Sequence, residues 1–265
     1  MLQTLTNTRP YAQPLSPIEV KGDRYALPAN FVSGLAFLRP FIQRRGDIIE
    51  QWVHLLGGKL YVITNNLVID YEIGSPDLPH VSFSPHAIRV LEAFAAEPSG
   101  VVYEFERLLF RWSDGQEFYI NGSGGFLNHR PIYPSSQIHE QLANDAFERF
   151  LQFNDCVVLT DDARKNLRRM HSGSKADKDI YLNDQSVLSR MNSDGTSWTS
   201  ETVTPFESGA ERMMRFDRKA FLAMIKVAHE VSFSSSPVCF RHEHGRGMLI
   251  ERTLGGDLPD FGEMA

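Results

Sequence analysis

Two groups of side chains in this 265-residue sequence have the types and the spacing that chemistry requires. The first is Arg241-His242-Glu243-His244. Residues two apart on a strand face the same side, so His242 and His244 would present both imidazoles to one point, as a metal site needs. Glu251 is available to complete a ligand set. The other reading is a pair of surface histidines beside a turn. The second group is cationic. At 100° per residue from Ala163, the apolar Ala163, Leu167 and Met170 cluster on one side of a helix, and Arg164, Lys165, Arg168 and Arg169 spread over the other. A further helical pattern buries Phe221, Met224, Ile225 and Ala228 and turns Lys219 and Lys226 outward. Cations held on a helix face could grip the phosphates of a nucleic acid without reading its bases. A solvated helix surface carries the same pattern. Elsewhere the signal thins to Arg89 beside Glu92, and to Arg44 and Arg45 near the end of a first helix whose outward side shows Ser33 and Phe37.

Other catalytic patterns are missing: the sequence has no GxGxxG, P-loop, GxSxG or HExxH. Gly122, Gly124 and Gly125 lack the lysine of a phosphate loop and read as a flexible connection. The enzymatic alternative is a cupin-like metal enzyme using His242, His244 and Glu251, although the spacing departs from that family's motif and its upstream glycine is missing. No catalytic residue, cofactor or metal is otherwise expected. Cys156 and Cys239 form no CxxC pair and sit in apolar, strand-like surroundings, so they read as buried reduced thiols. No apolar run approaches the roughly 20 residues that span a bilayer. Residues 1–10 lack the charged-then-apolar order of a signal peptide, which points to the cytoplasm and to no membrane partner. The net charge of −6 does not exclude a nucleic-acid partner, because binding depends on where the cations sit.

The elements that must position these groups form four copies of one pattern, a short strand, a helix of about three turns, then two or three strands joined by tight turns. The first copy occupies residues 24–74, with a helix from Pro28 carrying Phe31, Leu35 and Leu38 on one side. Its strands 51–56, 59–64 and 67–73 are separated by Gly57-Gly58 and Asn65-Asn66, both of which tolerate hairpin geometry. The second has a strand at 80–83, then Ser84 and Pro85 as N-cap and first helical residue, then strands 101–105, 107–112 and 116–120. The third has a strand at 156–159, a helix from Asp161 to about His171, and strands 180–182, 187–191 and 198–203. The fourth has a strand at 212–216, a helix from Asp217 to about Glu230, and strands 237–242 and 248–253 around a turn at 244–247. Helix starts at 28, 85, 161 and 217 place the excess spacing in residues 121–155, which open on Asn-Gly-Ser-Gly-Gly and read as an interdomain linker. The length suits two domains. Their expected boundaries are an extension at 1–23, domains at 24–120 and 156–254, and a tail at 255–265.

Two repeats, a linker and two more repeats resemble the organisation of the DNA sliding clamps, specifically the two-domain kind that includes proliferating cell nuclear antigen and bacteriophage polymerase clamps. The resemblance covers roughly residues 24–254 and rests on architecture and strand patterning. It implies an α+β clamp fold of two similar domains, with sheets outside and helices lining a ring. It further implies a non-enzymatic processivity factor of DNA replication that encircles duplex DNA, without sequence preference, and tethers a DNA polymerase. A clamp loader would open the ring. Bacterial clamps have three domains per chain and close as dimers, so a two-domain chain would need a homotrimer for the same six-domain ring. On this view Arg44, Arg45, Arg89, Arg164, Lys165, Arg168, Arg169, Lys219 and Lys226 would face DNA. Subunits would join through the last strands of the second and third units, carrying Glu117, Phe118, Tyr119 and Ile120 on one side and Trp198, Thr199, Ser200 and Val203 on the other. A client peptide would dock between the domains, near Phe126 and Leu127 in the linker and Leu254, Leu258 and Phe261 after the last strand. Bacteriophage origin, and so the host cytoplasm, would fit a two-domain clamp without a nuclear-localisation cluster. A structural protein of repeated α+β units is the remaining alternative.

Overall fold

The computed structural model describes residues 22–78, 81–104, 107–121, 126–128, 156–169, 178–191, 198–202 and 207–254. Four units follow one another. The first comprises β1 (Asp23–Ala26), α1 (Phe31–Leu38), β2 (Val53–Leu56), β3 (Gly58–Ile63) and β4 (Leu67–Ser75). The second comprises β5 (Val81–Phe83), α2 (Pro85–Glu92), β6 (Gly100–Glu104), β7 (Arg107–Arg111) and β8 (Glu117–Asn121), followed by β9 (Phe126–Asn128). The third comprises β10 (Val157–Val158), α3 (Asp161–Arg169), β11 (Asp179–Leu182), β12 (Val187–Met191) and β13 (Trp198–Thr202). The fourth comprises β14 (Met214–Asp217), α4 (Arg218–Val227), β15 (Glu230–Ser232), β16 (Val238–His242) and β17 (Gly245–Leu249).

Three of the helices begin where a short oxygen-bearing side chain can accept an otherwise unpaired amide. Ser84 Oγ accepts from Ala87 N at 3.2 Å, Thr160 Oγ1 from Ala163 N at 3.2 Å, and Asp217 Oδ1 from Ala220 N at 3.0 Å. The first helix starts at Phe31, three residues after the expected Pro28, and is capped from a distance. Its Val32 and Ser33 amides donate to the Glu97 carboxylate at 2.7 and 2.9 Å, from the loop after α2. The helices run 8 to 10 residues, between two and three turns, somewhat shorter than expected.

The strands form three antiparallel sheets, ordered β1-β6-β7-β8, β10-β15-β16-β17-β4-β3-β2-β5-β9 and β13-β12-β11-β14. The central nine-stranded sheet crosses from one half of the chain to the other where β4 meets β17, with Leu67 opposite Leu249 and Ile69 opposite Gly247. Opposed residues share a face, so one apolar surface continues through the join. On it, α1 lies against β3 and β4, and α4 against β17; α1 also packs on α2 and α3 on α4. Gly34 permits the close seat of α1, since a Cβ there would come within 2.7 Å of the Tyr71 ring and 2.8 Å of Leu60. A single buried cluster, from Leu27 to Leu249, runs through both halves.

Three expectations about the elements need correction. The 121–155 stretch is not all linker, because Phe126–Asn128 pairs with β5 and closes one end of the central sheet. The fourth helix stops at Val227, and Glu230–Ser232 forms β15 between β10 and β16. The turn placed at 244–247 is tighter, since β17 already begins at Gly245, opposite His242.

Candidate functional site

The join between the halves is tied by more than its ladder. His242, on β16, is buried and stacks on Phe37 of α1 with ring centroids 5.0 Å apart. Its Nδ1 accepts from the His244 amide at 3.3 Å, so Nε2 carries the hydrogen and donates to the Asp70 carbonyl at 2.9 Å. Burial pushes the imidazole down to about 4, and the neighbouring His244 and His229 add to the effect. Asp70 itself is buried in the middle of β4, where Arg246 donates from its amide at 2.7 Å and from Nε at 3.2 Å and Lys59 Nζ stands 3.7 Å away. Burial raises its carboxyl group above the ordinary value, against the pull of these partners.

This arrangement disfavours the metal alternative and corrects one assignment on α1. Both ring nitrogens of His242 are engaged, and Glu251 is held by Arg212 at 2.6 and 2.7 Å. Among the described residues no three His, Cys, Asp or Glu side chains converge as a metal site would need. Phe37 is not outward, because it packs on the core and against His242. Cys156 is half-buried and Cys239 buried, and burial pushes the Cys239 thiol up to about 11.

The basic helix residues fall as the periodicity requires. Ala163 and Leu167 are buried, while Lys165 and Arg168 are exposed on the opposite side of α3. Arg164 is half-buried, and its guanidinium donates to the Leu159 carbonyl at 2.9 and 3.2 Å, which leaves it less free than its neighbours. Arg169 ends α3, and its side chain is outside the description. Phe221, Met224 and Ile225 turn inward on α4, and Lys219 and Lys226 are exposed. Arg89 is exposed on α2, with Nε donating to the Pro85 carbonyl at 3.2 Å.

Arg44 and Arg45 are not on a helix. The first helix gives way at Leu38 to a single 3-10 turn, Arg39–Phe41, and the two arginines follow in the loop beyond it. That loop forms one wall of a groove of about 800 Å³ between the halves. The β3–β4 turn (Thr64, Asn66, Leu67) forms a second wall, and the start of α4 with Arg252 forms the third. Arg252 is held in place by Asp179 at 2.6 Å and Asp217 at 2.7 Å, and Arg215 also binds Asp179 at 2.6 Å. The sequence carried no obvious sign of this groove; the only cues were Pro40 just after the helix and the Asn65-Asn66 turn.

Leu254, just past Arg252, is 43% exposed. Phe126 and Leu127 lie on β9 with side chains outside the description, and Leu258 and Phe261 lie outside the described residues altogether. The strands carrying Glu117 to Ile120 and Trp198 to Ser200 are β8 and β13, each at the edge of an outer sheet; Val203 lies outside the described residues. Among the described residues these are the longest edges, at 5 residues each, against 4, 4, 3 and 2 for β1, β14, β9 and β10. The β14 edge is partly covered, because Phe216 bridges to Glu251. No helix among the described residues is long and apolar enough to cross a membrane.

No protein-family model and no curated protein matches the sequence. Solved structures do match. A DNA polymerase sliding clamp from Pseudomonas aeruginosa superposes with a TM-score of 0.60 at 15% identity, covering 94% of this chain and 70% of that one. The polymerase beta subunit of Streptococcus pyogenes gives 0.62 at 15%, covering 93% and 69%. The pol III beta of Caulobacter crescentus gives 0.63 at 12%, covering 91% and 70%. With paired strand-helix-strands units, an unbroken sheet across the join and these superpositions, the chain has the α+β fold of the DNA polymerase sliding clamps.

Proposed function

We propose that this chain is a non-enzymatic DNA sliding clamp, three copies of which close into a ring around duplex DNA and tether a replicative polymerase. The observation that carries the reading is the join between β4 and β17, the last strands of the first and fourth units. Their counterparts, the last strands of the second and third units, are β8 and β13, and both stand at the edge of their sheets among the described residues. Repeating the internal join between chains pairs β8 of one copy with β13 of the next and covers two edges that are otherwise liable to uncontrolled pairing. The chain spans 69 to 70% of the three superposed clamps, the share that two of three similar domains would take. Three copies then supply the six domains of the ring.

In that ring the exposed Lys165, Arg168 and Lys226 turn toward the duplex and meet phosphates, which suits sliding because phosphates carry no sequence. Client proteins, the polymerase and a loader among them, dock a peptide in the groove between the halves, beside Leu254. Chains diluted until apart and then concentrated with nicked circular plasmid are expected to co-elute with it, and to leave when the plasmid is cut once. Lys165→Glu with Arg168→Glu is expected to weaken that retention and flatten its salt dependence by about two phosphate contacts. Equal retention on circular and linear DNA contradicts encirclement.

A further inference from the structure

The groove between the halves is unusual in its charge. Its lining sets apolar residues, Phe41, Ile42, Leu67, Ala220 and Ala223 among them, beside polar and charged ones. Of its charged lining, Arg252 and Asp217 neutralise each other across 2.7 Å, and Asp217 also caps α4. Arg44, Arg45 and Lys219 remain. All three are exposed, and none makes an ion pair with a described residue. Three cations with no ion-pair partner among the described residues thus border apolar surface in a chain whose net charge is −6.

A free cation over apolar surface favours a ligand that combines the opposite charge with an apolar anchor, and disfavours one that brings like charge. A duplex fits the cleft poorly, since phosphates gain nothing from Phe41, Ile42 and Leu67, whereas a peptide side chain gains by burying apolar area there. Arg44 and Arg45 stand on the loop that lines the groove, whereas Lys165 and Arg168 stand on α3 and are not among its lining residues. We infer that the groove selects acidic client peptides, in which aliphatic or aromatic residues seat on the cleft and flanking Asp or Glu side chains meet Arg44, Arg45 and Lys219. This inference rests on the clamp reading above for the role of the groove, and it removes Arg44, Arg45 and Lys219 from the set expected to face DNA.

Panning a random peptide display library on the full chain tests it. Recovered peptides are expected to be rich in Asp and Glu and poor in Lys and Arg around their apolar residues. Ala223→Trp, which fills the cleft, is expected to abolish recovery. Arg44→Glu with Arg45→Glu is expected to reverse the charge bias and to weaken selected acidic peptides by about tenfold at low salt, with the thermal midpoint unchanged. Recovered peptides that need an open cleft but carry the library's average charge overturn the acidic preference and leave the groove as a client site. No enrichment, or enrichment indifferent to Ala223→Trp, overturns the groove reading itself. A double variant that keeps the acidic bias but loses plasmid retention assigns the two arginines to the duplex and overturns the inference.

Discussion

His242 concentrates the physics of the join in one side chain. A neutral imidazole fits there because Nδ1 accepts a hydrogen bond and Nε2 donates one, so a second proton would face the His244 amide in a buried place. Its value of about 4 in the fold lies below the ordinary 6.5, so only the unfolded chain takes up a proton between those limits. The stabilisation is therefore complete above pH 6.5 and is lost as pH falls toward 4, amounting to roughly 3 kcal/mol at most. Asp70 works in the opposite sense, since a carboxyl group raised by burial takes up its proton more readily in the fold and returns stability as pH falls. Urea midpoints are expected to drop between pH 7 and pH 5, and His242→Asn is expected to remove most of that slope. A wild-type midpoint that stays level across this range contradicts the assignment. The two histidines were legible in the sequence as a pair, but their partners were not. Asp70 and Phe37 lie about two hundred residues away, and only the fold brings them to β16; the local hint was a pair of carboxylates, Asp70 and Glu72, in the run Leu67 to Ile73.

At the scale of elements, the short polar cap residues were the most readable feature. Ser84, Thr160 and Asp217 each stand immediately before the helix they cap, because an N-cap is a local hydrogen bond between near neighbours. The entry of α1 was misplaced because its amides are satisfied by Glu97, a distant residue. The three-residue β9 and β15 were missed because so short a strand has no periodicity of its own and exists through its neighbours in the sheet. The edges β8 and β13 can be tested as elements. Successive residues of an edge strand point their amides alternately into the sheet and away from it. Of Thr199→Pro and Ser200→Pro, one is therefore expected to disturb the β12 ladder and lower stability, and the other to leave the fold intact while blocking assembly. Two folded variants that both assemble as the wild type does would exclude β13 as the joining edge.

For the whole molecule, the doubled unit was visible in the sequence as a recurring order of strand and helix. The meeting of β4 with β17 was not, because it pairs residues near 68 with residues near 248 and depends on the full fold. That meeting also supports the proposed ring. If one seam between halves forms inside the chain, the same kind of seam between β8 and β13 extends the assembly, and three chains close it. The most direct test is the solution mass by light scattering over a dilution series. The ring predicts three times the 30.1 kDa chain mass, persisting on dilution and lost in the assembly-blocking proline variant. A wild-type protein that stays at the mass of one chain at every concentration contradicts it.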